Sequence, residues 1–150
     1  SQMDMQYRYC GIPDHVIFTR ATFRTVADDA SAIEARMADI REKRAATQPI
    51  RARTGGSTFA NPTPDECASH NLPAGTKAWQ LIDKVGGRGL RVGGASMSEL
   101  HCNFMLNDQN ATATDLEMLG EEVRRRVLDA TGYSLRWEIK RIGVMPAMDA

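Results

Sequence analysis

The sequence has no surplus of either charge, no long apolar run and no cysteine framework, and each lack removes a class of function. Across 150 residues, 19 Lys and Arg balance 19 Asp and Glu, so no global field draws the chain to nucleic acid or to an acidic membrane surface. No apolar stretch approaches the roughly 20 residues that a membrane-spanning helix needs. The N-terminus lacks the basic-then-apolar order of a secretory signal. A cytoplasmic protein is expected, with neither nucleic acid nor membrane as partner. Cys10, Cys67 and Cys102 are odd in number and widely separated, which fits neither a disulfide framework nor a zinc knuckle. His15, His70 and His101 also lack paired ligand spacing. Although His101 adjoins Cys102, neighbouring strand residues point to opposite faces. No metal site is expected. Internal repeats, low-complexity tracts and a Gly-x-Gly-x-x-Gly turn between strand and helix are also missing.

What is present is a series of short elements. Residues 16–26 are β-branched and aromatic with charge only at Arg20 and Arg24, and predict a strand with one wetter face. Asp28, Asp29 and Ser31 offer caps to a helix over about 30–46, in which Ile33, Met37 and Ile40 recur at helical spacing. Pro49 ends it by biasing its predecessor away from helical angles. Residues 51–75, rich in Gly, Pro, Thr, Asn and Ser, read as a linker or an ordered ligand loop. A short helix is expected over 76–85, with Trp79, Ile82 and Val85 on a core-facing stripe, and short strands over 89–97 and 102–106. Thr114 and Glu117 carry a capping-box spacing, and Leu116, Leu119, Val123 and Val127 continue a helical stripe toward Gly132. Leu135, Trp137 and Ile139 alternate with Arg136, Glu138 and Lys140, which predicts a final strand holding Glu138 on the face opposite its apolar residues. Strands and helices interleave without a regular βαβ period, so the fold class is α+β.

The stretch 53–62, Arg-Thr-Gly-Gly-Ser-Thr-Phe-Ala-Asn-Pro, sets Ser57 in a glycine-rich turn. Paired glycines reach backbone angles closed to other residues, and their N–H groups suit phosphate or carboxylate oxygens. By itself such a serine is better read as a turn residue bonded to its own backbone. Its company is more specific: Tyr7-Arg8 upstream, then Ala78-Trp79-Gln80-Leu81-Ile82-Asp83, Gly93-Gly94-Ala95, Asn103-Phe104, Asn107 and Glu138-Ile139 downstream. From about Tyr7 to Gly143 this ordered set resembles the UDP-N-acetylenolpyruvoylglucosamine reductases, the MurB family of bacterial cell-wall synthesis.

The resemblance implies a small mixed α+β domain of the MurB C-terminal type, corresponding to the last part of such an enzyme. Residues 1–50 would be the end of the flavin-binding region and a connecting helix. Residues 51–134 would form the substrate-binding domain, and 135–150 a return strand toward the flavin-binding region. The implied activity is the FAD-mediated reduction, by NADPH, of UDP-N-acetylglucosamine enolpyruvate to UDP-N-acetylmuramate. Most FAD contacts would lie in a flavin-binding region not represented here, so the isolated chain is expected to be inactive. Ser57 matches the family's proton donor, and Glu138 and Arg8 match groups that stabilise charge on the substrate carboxylate. Read from residue type alone, Arg8 could equally stack on its aromatic neighbours and Glu138 could be a solvated carboxylate. Asn61, Tyr7 and Arg53 would bind substrate, with Lys43, Arg44 and Arg51 as further candidate phosphate ligands. Since no tyrosine-bearing insertion follows the Tyr-Arg segment, the chain resembles the loop-lacking, type II-like form. The rival from another class is a non-catalytic nucleotide-sugar or anion-binding module.

Overall fold

The computed structural model describes residues 3–5, 10–13 and 15–143. Tyr7 and Arg8 therefore lie outside the described residues. The chain divides into two compact units, Ser1–Arg36 and Met37–Ala150.

In the first unit, the strand expected over 16–26 does not form. Its apolar side chains stand in solvent, with Ile17 and Phe23 each 83% exposed. A strand needs a neighbour to take its N–H and C=O groups, and among the described residues none pairs with this segment, so β-prone composition alone does not suffice. The helix after it does form. α1 (Ala30–Thr47) starts where Asp29 Oδ2 accepts the Ala32 N–H at 2.9 Å and the Ser31 hydroxyl proton. None of its residues is buried.

The second unit holds the core. Its opening loop contains α2 (Pro64–Ser69), a helix that composition had concealed. The local signal is Thr63-Pro-Asp-Glu66: Thr63 Oγ1 accepts the Glu66 N–H at 3.2 Å, Glu66 Oε2 accepts the Thr63 N–H at 2.7 Å, and Pro64 takes the first helical position. α3 (Ala78–Lys84) buries Ala78, Leu81 and Ile82. Trp79, expected in the core, is instead 39% exposed, because two turns can present only one narrow stripe and that stripe runs through 78, 81 and 82.

The stretch 89–97 is a hairpin rather than one strand. β1 (Arg91–Val92) and β2 (Ala95–Met97) pair antiparallel with Val92 opposite Ala95, which leaves Gly93-Gly94 as a two-residue turn. Gly93 takes the left-handed φ of +53°, and a Cβ on Gly94 would sit 2.5 Å from the Gln109 carbonyl oxygen, so the turn favours glycine at both positions. β3 (Met105–Asn107) adds to β2, giving a three-stranded antiparallel sheet in the order β1-β2-β3.

α4 (Ala113–Thr131) packs across this sheet and against α3. Its capping box starts two residues earlier than expected. Thr112 Oγ1 accepts the Asp115 N–H at 3.0 Å and Asp115 Oδ2 accepts the Thr112 N–H at 2.9 Å. The same carboxylate reaches the Gly94 N–H at 3.4 Å, so the tie to the hairpin turn favours the Thr112–Asp115 pair over Thr114–Glu117. Leu119, Val123 and Val127 are fully buried and join Ala95, Met97, Met105, Phe59 and Leu135 in one apolar cluster. Gly132, at φ +71°, ends the helix in the left-handed conformation.

After α4 the expected alternation holds only at its start: Leu135 is buried and Arg136 exposed, but Trp137, Glu138 and Ile139 are all half-buried. The expected strand, however, contracts to a single bridge between Phe59 and Trp137, whose rings lie 4.9 Å apart. Trp137 lies on α4 at Gly120, where a Cβ would come within 2.0 Å of the indole Cη2. Gly120→Ala is therefore expected to destabilise the second unit by about 1–3 kcal/mol through overpacking, despite alanine's better helix propensity. Urea unfolding followed by Trp fluorescence checks this, and an unchanged midpoint would contradict the contact.

Candidate functional site

The segment around Ser57 is held between two other stretches of chain. On one side Ser57 bridges Phe104, and the Thr58 N–H donates to the Asn103 carbonyl oxygen at 2.8 Å. On the other, the Glu138 N–H donates to the Thr58 carbonyl oxygen at 2.8 Å, and the Ala60 N–H donates to that of Arg136 at 2.9 Å. Thr58 is fully buried, and its hydroxyl oxygen accepts the Met105 N–H at 3.2 Å. Asn103, 5% exposed, lends its whole side-chain amide to Phe59: Oδ1 accepts the Phe59 N–H at 3.0 Å and Nδ2 donates to the Phe59 carbonyl at 2.9 Å. In this way every polar backbone atom of 58 and 59 is satisfied although no regular ladder runs through them.

The consequence is local to Ser57. Gly56 turns the chain at φ +90°, and a Cβ built on it would meet nothing within 4 Å, so the main chain before Ser57 is open to approach. Ser57 is half-buried, and its hydroxyl hydrogen-bonds to none of the described residues. Glu138 is half-buried as well. The fold thus brings Ser57 and Glu138, far apart in sequence, onto adjoining segments linked through Thr58.

The other sequence candidates are placed differently. Asn61 Oδ1 accepts the N–H of Ala78, the first residue of α3, at 3.0 Å, so its oxygen is occupied in capping while its amide nitrogen carries no such role. Arg53 is exposed, and its carbonyl receives the Asn107 N–H at 2.9 Å. With Lys140 and Arg141 it gives a basic rim to a cleft of about 390 Å³ whose wall includes Gly55, Trp137 and Ile139. Ser57, Asn61 and Glu138 are not among that cleft's lining residues. Lys43 pairs with Asp39 along α1 at 2.8 Å and Arg44 bonds Gln48 at 3.1 Å, the arrangement of a solvated helix face.

Cys102 is a buried free thiol. Burial pushes its thiol pKa up, and Sγ lies 3.1 Å from the Trp79 carbonyl that accepts its proton. Burial lowers the pKa of His101, favouring the neutral ring, which meets Phe104 edge-on at 4.8 Å. Among the described residues, no three His, Cys, Asp or Glu side chains gather as a metal site, and no helix is long and apolar enough to cross a membrane.

Two features escaped the sequence reading. Asn103 was visible only as part of a motif, because nothing in a single chain announces that a side chain will substitute for a strand. The second is a polar tie between α2 and the last segment: Arg136 Nε and Nη2 lie 2.8 and 3.1 Å from the two Glu66 carboxylate oxygens. The Tyr133 hydroxyl also reaches Glu66 at 3.4 Å. Chiefly through Arg136, the Glu66 pKa is held down from 4.5 to about 2.

Truncating Asn103→Ala strips the Phe59 N–H and C=O of their partners in a dry environment, at about 1–3 kcal/mol for each unsatisfied group. A lower denaturant midpoint of that order is expected, and a change within experimental error would exclude the clasp. The depressed Glu66 pKa adds stability at pH values above about 4.5 that is lost as pH falls toward about 2. Glu66→Gln should flatten the pH dependence of thermal unfolding in that window relative to the unchanged chain, and parallel curves would show that the carboxylate is not differentially stabilised.

Comparison with known proteins adds a family context. The family model described as "UDP-N-acetylenolpyruvoylglucosamine reductase, C-terminal domain" matches residues 48–142. A protein of that name from Rhodospirillum rubrum is 56% identical over 144 residues, covering 96% of this chain and 43% of the relative. Another from Rickettsia massiliae is 51% identical over 145 residues, covering 97% and 45%. The crystal structure of UDP-N-acetylenolpyruvylglucosamine reductase (MurB) from Thermus caldophilus superposes with a TM-score of 0.69 at 32% identity, over 91% of this chain and 45% of that one. The chain therefore spans under half the length of these relatives.

Proposed function

The chain belongs to the UDP-N-acetylenolpyruvoylglucosamine reductase (MurB) family, and from that premise we propose that it supplies the substrate-binding and proton-donating part of an NADPH-using flavoprotein reductase. The substrate in this reading is UDP-N-acetylglucosamine enolpyruvate, and the product UDP-N-acetylmuramate, a peptidoglycan precursor. Residues 51–134 bind substrate, and 1–50 and 135–150 belong with a flavin-binding region that completes the enzyme. The observation that supports this most is the hydrogen bond from the Glu138 N–H to Thr58 at 2.8 Å beside the open Gly56 turn. It sets the segment that carries Glu138 against the segment that carries Ser57.

The open backbone at Gly56 suits a planar or anionic ligand that must come close to the main chain. FAD, held mainly by the flavin-binding region, would when bound and reduced supply hydride for the enolpyruvyl double bond. The residues of this chain handle the proton and the charge. Ser57, its hydroxyl uncommitted among the described residues, donates a proton to the carbon adjacent to the reduced one. Glu138 and Arg8 stabilise the negative charge that collects on the substrate carboxylate. The Arg8 fork matches a carboxylate's two oxygens. Asn61, Tyr7 and Arg53 fix the nucleotide sugar. The roles of Tyr7 and Arg8 rest on the family resemblance.

In the full-length enzyme, Ser57→Ala should leave NADPH-driven flavin reduction nearly unchanged. Substrate-driven reoxidation should slow by about 10²–10⁴-fold, the usual worth of a positioned general acid. Stopped-flow absorbance of the flavin separates the two steps. Equal losses in both, or in neither, would reject Ser57 as the proton donor.

A further inference from the structure

The pairing that sets Glu138 beside the Ser57 segment is very short. It consists of the Phe59–Trp137 bridge and the two principal hydrogen bonds from Ala60 to Arg136 and from Glu138 to Thr58. A second donor, the Ile139 N–H, also reaches the Thr58 carbonyl at 3.4 Å, so one acceptor serves two successive residues. Such a contact does little to fix its own register, and a slip of one residue in an extended segment turns its side chains to the opposite face. Arg136 supplies what the backbone lacks. Its side chain lies two residues from Glu138, on the same face by strand alternation. Its guanidinium grips both Glu66 oxygens, and Nη2 also reaches the Asn61 carbonyl at 3.3 Å. Glu66 is itself anchored by the Thr63 N–H at 2.7 Å, within the capping box of α2. The clasp thus ties the Glu138 segment to the far end of the loop that begins at Ser57.

We propose that Arg136 and Glu66 are positioning residues for the reduction: their two-pronged ion pair holds the Glu138 segment in register with Thr58, and so sets Glu138 relative to Ser57. This rests on the reading of Ser57 and Glu138 given above. Neither Arg136 nor Glu66 touches substrate in this scheme. Their effect is confined to the half-reaction that needs Ser57 and Glu138 together, where small misplacements are costly.

The test uses the full-length enzyme bearing Arg136→Met, Arg136→Lys or Glu66→Gln, with Ser57→Ala as control. Arg136→Met should slow substrate-driven flavin reoxidation by about tenfold or more while NADPH-driven reduction stays within about twofold. Arg136→Lys, which keeps the charge and loses the fork, should fall between. Glu66→Gln keeps a cap acceptor for Thr63 and should also slow reoxidation selectively. Hydrogen exchange by mass spectrometry provides a readout without turnover: peptides containing the Ala60 and Glu138 amides should exchange faster, and α4 peptides should not. If Arg136→Met fails to fold, the lysine and glutamine variants carry the same comparison. Reoxidation unchanged in a folded variant overturns the proposal. So does a parallel loss in both half-reactions that tracks a lowered Tm, which marks a merely structural ion pair. A Ser57→Ala enzyme with normal reoxidation removes the catalytic reading and this proposal with it. Slow reoxidation in that control alongside normal rates in all Arg136 and Glu66 variants removes the proposal alone.

Discussion

The clasp of the Asn103 amide on both backbone groups of Phe59 is the interaction on which the rest of the second unit depends. At this point three stretches of chain converge without a regular sheet: 57–60, 101–105 and 135–139. An unpaired buried amide costs about 1–3 kcal/mol, so such a crossing survives only if side chains replace the missing strand partners. Asn103 does so at Phe59, and the Thr58 hydroxyl does so at Met105. Because both substitutes are side chains, the backbone is free to leave strand geometry one residue earlier. That departure is the Gly56 turn that precedes the half-buried Ser57.

An apolar layer lies beneath this crossing. Phe59 is 1% exposed and stacks obliquely on Trp137, and Trp137 in turn occupies the space that a side chain at position 120 would need. Burial of a side chain as large as Phe59 is worth about 1.5–3 kcal/mol. It is placed where the same residue also fixes the strand crossing above it. Packing and polar satisfaction therefore act on one short segment from opposite sides. The Trp137 indole N–H finishes in a hydrogen bond to Glu121 of α4 at 3.0 Å.

Much of this was legible along the chain, and the failures share a cause. α1 and α4 were legible because their periodicity and end signals are local, and the capping box shifted by only two residues, to the pair whose acid could also reach Gly94. The alternation after Tyr133 was legible only at Leu135 and Arg136. Its contraction to one bridge was not, since strand length depends on the partner. The 16–26 segment shows the same dependence more sharply, being β-prone throughout and unpaired among the described residues. Trp79 was misplaced because a two-turn helix offers several stripes and only its neighbours choose one. The hairpin at Gly93-Gly94 and the α2 cap at Thr63–Glu66 were written in the residues and could have been read there.

By itself the sequence determined the α+β class, the two long helices, the glycine turn ahead of Ser57, and the family, because each is carried by residues close together or by the order of motifs. Tertiary structure alone decided that Glu138 would lie beside Thr58, that Asn103 would stand in for a strand, and that Glu66 and Arg136 would meet. These contacts join residues from distant parts of the chain, and their free energy exists only after the core has brought the segments together. No local preference can encode a hydrogen bond whose partner is defined by the fold.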